Sequence, residues 1–317
     1  MLTNNRERKS IRAEYGKTLV ELGRINPDIV VLDADLSCST QTAMFGKEFP
    51  ERFFNMGISE QDMMATAVGL STVGKIPFAS TFSMFAAGRA WDQIRNSICY
   101  PKFNVKIVAT HGGITVGEDG ASHQALEDIS IMRSIPNMMV VVPADCAETS
   151  EVIKFAAEYK GPMYIRIART NVPDVFDRAT YKFNPTKAVI ISEGMDVTLV
   201  TNGETLAEAI DCVEILKERG VSAELIHLPV VKPLDTETLV QSAKKTKKVV
   251  TIENHSIIGG VGSAVCETLC EYAPTSVLRI GTNDEFGQSG EQRKLMEFYG
   301  LTGEKLAEKV MNFLGKK

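Results

Sequence analysis

The sequence predicts an α/β protein of two domains, each a largely parallel sheet flanked by helices. Short, β-rich apolar runs alternate with segments of helical periodicity along the chain, the pattern of strands that need crossover helices. The alternation stops near Thr170, where Asn, Pro, Asp and Arg dominate as far as Pro185, and then resumes. With 317 residues and 44% apolar content, the chain is long enough to bury two cores.

The first series of strands is read at Ile29–Leu32, Ile76–Ala79, Val105–Ala109, Met138–Val142 and Met163–Ile167. Helices fall between them at Arg12–Leu22, Glu60–Val73 behind a cap at Ser59, Ala86–Ser97 and Ala147–Tyr159. The second series places strands at Val197–Thr201, Ala223–Leu228, Lys248–Ile252 and Ser276–Ile280. Its helices lie near Thr205–Arg219, Thr236–Lys245 and Gly259–Glu271, and an amphipathic tail from Glu291 to Leu314 is expected to pack on the second domain. The division is therefore residues 1–175, a linker at 176–186, and residues 187–317.

Composition narrows the function. A net charge of -5 and no basic cluster argue against a nucleic-acid partner. The opening Met1–Lys9 is polar and charged, and no apolar run approaches the roughly 20 residues of a membrane span, so a cytoplasmic protein is expected. Cys38, Cys99, Cys146, Cys212, Cys266 and Cys270 are scattered rather than spaced as a disulfide framework. Cys266 and Cys270 share a helix face without a second pair to make a metal site.

Polar chemistry gathers at strand exits of the first domain. Gly57-Ile58-Ser59-Glu60-Gln61 puts a carboxylate at a helix start, where the helix dipole alone would favour it. Ser80-Thr81-Phe82-Ser83-Met84-Phe85 brings two aromatics to the strand end where open α/β sheets bind ligands. The segment from His111 through Gly120 to Gln124 holds two of the chain's four histidines, two carboxylates and several glycines, a costly composition for a loop that only packs. His111, Asp119 and His123 are metal-ligand types, but their spacing fits no metal motif, and no metal ligand is assigned to this chain. Arg166 and Arg169, around the last strand, are suited to gripping a phosphate with a guanidinium fork. Ile258-Gly259-Gly260-Val261-Gly262 looks like a phosphate-binding turn but lacks the rest of a dinucleotide fingerprint, so it reads as structural. His227 and His255 read as structural or interfacial.

Taken in order, these segments resemble the pyrimidine-binding domain of transketolases, and residues 187–317 resemble the transketolase C-terminal domain. Gly117-Glu118-Asp119-Gly120, followed by His123-Gln124, is the distinguishing stretch; Ala34-Asp35-Leu36 and Ser134-Ile135-Pro136-Asn137-Met138 also match. Transketolases carry an amino-terminal domain that holds the pyrophosphate of thiamine diphosphate through a divalent metal, and no such domain is expected ahead of Met1. The resemblance thus implies a split enzyme, with two copies of each chain. A separate N-terminal subunit would supply the pyrophosphate site and the ligands for Mg2+, and the cofactor would lie at the interface.

By this resemblance Glu60 faces the aminopyrimidine ring nitrogen and shares a proton with it, Phe82 and Phe85 form the slot for that ring, and Asp35 lies near the cofactor. His111 and His123 take hydrogen-bonding and proton-transfer roles, and Asp119 meets a substrate hydroxyl. Arg169, in Ala168-Arg169-Thr170-Asn171, holds the sugar's terminal phosphate, with Ser39 and Arg12 as further phosphate contacts. The implied reaction is transfer of a two-carbon ketol unit from a ketose phosphate to an aldose phosphate.

The chain departs from the family at Ser59-Glu60-Gln61, at Gly88 where a third pocket aromatic is usual, and at Arg89-Ala90-Trp91-Asp92-Gln93, which is closer to deoxyxylulose-phosphate synthase. Alternatives therefore stay open: a split subunit of that synthase type, a 2-oxo acid dehydrogenase β-like chain, or a non-catalytic scaffold. The histidine-rich loop weighs against the second, and the intact set Glu60, His111, Asp119 and His123 against the third.

Overall fold

The computed structural model describes residues 2–3 and 7–316. In chain order the strands are β1 (Arg8–Ser10), β2 (Ile29–Asp33), β3 (Phe53–Asn55), β4 (Ile76–Phe82), β5 (Lys106–Thr110), β6 (Met139–Val141) and β7 (Met163–Ile167), followed by β8 (Asn171–Pro173), β9 (Val189–Ser192), β10 (Val197–Thr201), β11 (Ala223–His227), β12 (Val230–Lys232), β13 (Lys248–Ser256) and β14 (Ser276–Thr282). β1 pairs with β8, and the others build a seven-stranded sheet, β12-β6-β7-β5-β4-β2-β3, and a five-stranded sheet, β14-β13-β10-β11-β9. Within those two sheets pairing is parallel except where β12 meets β6 and β9 meets β11, both at sheet edges.

The central strands β2, β5 and β7 are buried along their whole length, as apolar β-branched runs in a sheet covered on both faces must be. Helices Ile11–Ile25 and Cys146–Glu158 pack together on one face, and helix Glu60–Thr72 packs on β4 from the other. Both long helices of the first face have a side-chain cap: Ser10 accepts from Ala13 N, and Asp145 accepts from Glu148 N.

The strand register decides which residues meet at the sheet's edge. Asp33 lies opposite Ser80, Phe82 opposite Thr110, and Thr110 opposite Ile167. The parallel strands thus end together, and the residues at or just beyond their ends, around Asp35, Phe82, His111 and Arg169, emerge at one edge of the sheet.

The two series are stitched together. β12, from the second series, adds an antiparallel edge strand to the sheet of the first. The Asn- and Pro-rich stretch expected to connect them is packed rather than loose: β8 pairs with β1, and Phe176 and Tyr181 stack at 4.2 Å between centroids in the interior. Three local expectations are corrected. Ser59 makes no side-chain cap bond to its helix. The helix expected at Ala86–Ser97 is two π-helical segments, Phe85–Arg89 and Gln93–Cys99. The tail is two helices, Gln292–Phe298 and Gly303–Leu314, parted near Gly300, which adopts φ +70°. The second packs on helix Thr205–Glu218, whereas the first lies against the loop after β5. Among the described residues no helix is long and apolar enough to cross a membrane.

Candidate functional site

Glu60 opens its helix with the side chain turned inward and only 1% exposed. A buried carboxylate is costly without a partner, and its partner is Arg89, whose Nη1 donates to Glu60 Oε2 at 2.7 Å. Arg89 itself is 46% exposed. Its guanidinium lies over the Phe85 ring at 4.9 Å.

Phe82, the last residue of β4, and Phe85, just after it, lie nearly parallel, with ring centroids 6.0 Å apart. The His111 ring stacks on Phe82 at 3.8 Å, and His123 turns its edge to both aromatics, at 6.2 Å from Phe82 and 5.4 Å from Phe85. Two imidazoles and, through Arg89, a buried carboxylate therefore gather around one pair of aromatic rings.

His111 follows the last residue of β5 with φ +61°, a left-handed conformation unusual for a side chain of this size, and its Nδ1 lies 2.8 Å from Thr110 Oγ1. Burial, and then the nearby charges of Arg12, Arg169 and His123, push its pKa down to about 3, so the ring is neutral at physiological pH. Arg12 donates from Nη1 to the Ser39 carbonyl at 2.6 Å, while among the described residues its buried Nε has no hydrogen-bond partner. Burial, and then Arg169, lower its pKa from the ordinary value. Arg169 donates through Nη1 to the Val116 carbonyl and to Glu118 Oε2, the latter at 3.0 Å.

The structure thus brings together Glu60, Phe82, Phe85, His111 and His123, with Arg12, Ser39 and Arg169 beside them. Asp35 and Asp119 are exposed and, among the described residues, make no hydrogen bond or ion pair to that group; Asp35 accepts from Asn55 Nδ2 at 2.9 Å. Buried Asp33 shapes the Asp35 loop by accepting from Leu36 N, Thr40 and Thr42.

The transketolase pyrimidine-binding domain matches residues 7–175, and the transketolase C-terminal domain matches residues 186–306. A Methanocaldococcus jannaschii protein described as a putative transketolase C-terminal section is 53% identical, over 98% of this chain and 98% of its own length. The chain belongs to the transketolase family. Its enzymes depend on thiamine diphosphate, and this chain corresponds to the C-terminal half. A solved structure described as a split-gene transketolase in an inactive beta4 tetramer shares 54% identity, with a TM-score of 0.90 over 97% of this chain and 99% of that one. A Clostridium protein described as a 6-deoxy-6-sulfo-D-fructose transketolase subunit is 39% identical over 93% of this chain and 92% of its own length.

In this transketolase half, the loop carrying the two histidines is clamped from behind by the second domain. Asn254 Oδ1 accepts from Ile114 N at 2.9 Å, and Asn254 Nδ2 donates to Glu204 Oε1 at 2.6 Å and Thr115 Oγ1 at 3.1 Å. Gln124 Nε2 donates to the Gln288 carbonyl at 3.0 Å, and Ser289 Oγ donates to the Glu118 carbonyl at 2.5 Å. Two glycines make the clamp possible. A Cβ on Gly112 would come within 2.1 Å of Arg166 Nε, and one on Gly113 would come within 2.4 Å of the Asn254 amide.

Arg166 is not a phosphate grip. Its side chain is 3% exposed and lies 3.1 Å from Asp128 Oδ2, with Nη2 donating to the Asn254 carbonyl at 2.8 Å. The glycine turn of the second domain is likewise filled by the protein itself: Val261 N and Gly262 N donate to the Glu253 carboxylate at 2.7 and 2.9 Å. His227 bonds Glu148 at 2.8 Å across the two domains, and His255 is buried near Ser130. A cleft of about 800 Å³ opens between the domains, reaching Arg12 and Arg169 on one wall and Glu204 and Arg293 on the other. Arg89, Gln124 and Asn254 are the site residues that sequence reasoning missed.

Proposed function

We propose that this chain is the C-terminal subunit of a split transketolase, acting in the cytoplasm with a separate N-terminal subunit to move a two-carbon ketol unit from a ketose phosphate to an aldose phosphate. The observation that carries the proposal is the buried Glu60 carboxylate, joined through Arg89 to the Phe85 ring, which packs with Phe82 and the two imidazoles. When bound, thiamine diphosphate supplies the carbon nucleophile and electron sink that ketol transfer requires.

The residues present fit the cofactor's aminopyrimidine: they offer flat apolar contact and a buried carboxylate of the kind that would meet a ring nitrogen. In this reading Glu60 holds a proton at the ring nitrogen and Phe82 and Phe85 exclude water. Neutral His111 offers one ring nitrogen as donor and the other as acceptor, and His123 hydrogen-bonds the reacting oxygen and exchanges its proton. Asp35 borders the cofactor at the subunit contact, and Asp119 takes a substrate hydroxyl. Arg12, whose Nε has no partner among the described residues, joins Arg169 and Ser39 in receiving the sugar's terminal anion. Among the described residues no three His, Cys, Asp or Glu side chains gather to hold a metal, and Mg2+ is assigned to the partner. Guanidinium groups recognise charge and oxygen geometry, so a sulfonate is also suited to this corner, and the Clostridium relative is described by a sulfonated sugar.

Ketol transfer from xylulose 5-phosphate to ribose 5-phosphate, measured with thiamine diphosphate and magnesium for this chain alone and mixed with its N-terminal partner, tests the proposal. Turnover only in the mixture is expected. Turnover by the chain alone would overturn the split-site reading. An assembled mixture that turned over pyruvate with glyceraldehyde 3-phosphate instead would move the assignment to the synthase type.

A further inference from the structure

Among the described residues Arg89 is the one cation that reaches Glu60, and it does so from the solvent side. The π-helical turn Phe85–Arg89 sets these two residues four apart on one face, so the guanidinium crosses the Phe85 ring at 4.9 Å before it meets Glu60 Oε2 at 2.7 Å. The path is open. Gly88 is exposed, and a Cβ there would touch only Met84 Cε, at 3.6 Å. The arginine therefore covers one face of the Phe85 ring and occupies one oxygen, Oε2, of the Glu60 carboxylate.

A ligand that stacks on Phe85 and hydrogen-bonds Glu60 needs the same two positions. It must also meet Glu60 with a proton between them, whereas the Arg89 guanidinium, at 2.7 Å, already occupies Glu60 Oε2. We infer that Arg89 is a placeholder in the cofactor seat: it neutralises Glu60 while the subunit is empty and withdraws to solvent when an aminopyrimidine ring docks. With its side chain 46% exposed, the guanidinium can be rehydrated without unfolding anything around it. Glu60, at 1%, has no such outlet and depends on whichever partner is present. The inference rests on the reading of Glu60 as the partner of the aminopyrimidine. It makes Arg89 a positioning residue that sets cofactor affinity by competition.

The test is calorimetric titration of thiamine diphosphate into the assembled two-subunit enzyme with magnesium present. Arg89→Gln removes the competing cation, and about tenfold tighter binding is expected, the loss of one charge-assisted contact that the cofactor would otherwise displace. Arg89→Lys keeps a cation in place and is expected to bind within about twofold of the wild type. The gain must pass through Glu60, so Arg89→Gln introduced into a Glu60→Gln background should change the affinity little. A purely structural role for Arg89 would move affinity equally in both backgrounds. Weaker or unchanged binding by Arg89→Gln overturns the placeholder assignment, weaker binding making Arg89 part of the cofactor's grip. If Arg89→Gln does not assemble, the Arg89→Lys titration decides: binding about tenfold tighter than wild type, with the cation still present, also overturns it. No binding by the wild-type assembly overturns the reading of Glu60 together with this one, which separates the two failures.

Discussion

Two acid–arginine pairs flank the histidine loop, and they differ in whether water reaches the arginine. Behind the loop, Asp128 and Arg166 are 0% and 3% exposed, and the pair is tied in further by Tyr164, which donates to Asp128 at 2.7 Å, and by the Asn254 carbonyl. In front, Glu60 is buried but Arg89 is half in solvent. Where both charges are dry, neither can leave without stranding the other, so the pair belongs to the fold. Where one is wet, the pair can be opened by a competing ligand, so the charge is available for chemistry.

The largest expected effect breaks the rear pair. Arg166→Leu strands Asp128 in the core and should cost about 3 to 5 kcal/mol of stability. Arg89→Leu also leaves the buried Glu60 without its cation, but water can follow the arginine's exposed path to the carboxylate, so the cost should be smaller, about 1 to 2 kcal/mol. Urea denaturation of both variants reads the difference. Equal losses would erase the distinction between the two pairs.

Next comes the chemistry of the front pair. Glu60→Gln preserves the side-chain shape and an acceptor for Arg89 but cannot hold or exchange the proton. Ketol transfer by the assembled enzyme is expected to fall by about a hundredfold or more, with the melting temperature nearly unchanged. A variant that lost stability and kept its activity would place Glu60 with Asp128, as a structural acid.

A smaller effect separates the two sides by pH. His111, in front, is held at a pKa of about 3, and His255, behind, at about 4, in both cases chiefly by burial. In the unfolded chain each takes up a proton below about pH 6.5, which the folded chain refuses until the lower value, so stability is lost as pH falls through that window. For His111 the loss between about pH 7 and pH 5 is about 2 kcal/mol. His111→Gln should therefore be less acid-sensitive than the wild type by that amount in denaturation at the two pH values. An identical pH dependence would mean that His111 takes its proton as readily folded as unfolded.

How far these features can be read from sequence depends on the range of the interaction involved. β7 and β10 coincide with the runs expected at Met163–Ile167 and Val197–Thr201, because a strand buried on both faces writes its whole length in apolar residues. β12 has three residues and pairs with a sheet on the far side of the chain's own connection, so nothing local announces it. The π-helical turns escape for a related reason. Their composition suits an α-helix, and the spacing of the hydrogen bonds is decided by what the segment packs against. At the site, Glu60, Phe82 and His111 are legible as polar or aromatic residues at strand exits. The Arg89 contact joins residues 29 apart, and the Asn254 clamp reaches its loop across 140, beyond any periodicity. Arg166 and Arg169 look alike in sequence, yet the pleat of β7 sends Arg166 into the core, while Arg169 lies beyond the strand.

The smallest effect concerns whether the rear clamp reaches forward to the substrate. Ser289 holds the Glu118 carbonyl, and the Glu118 carboxylate in turn steadies Arg169 at 3.0 Å. Both contacts are near the surface, so Ser289→Ala should cost less than about 1 kcal/mol of stability. If Arg169 receives the sugar's anion, a looser Glu118 leaves that guanidinium less well placed. The KM for a phosphorylated donor should then rise about threefold with kcat unchanged, the signature of an interaction made equally in the ground and transition states. A fall in kcat at constant KM would instead place the effect at the histidines, transmitted along the loop. That outcome would tie the second domain to the chemistry rather than to binding, and the front and rear of the loop would no longer be separable regions.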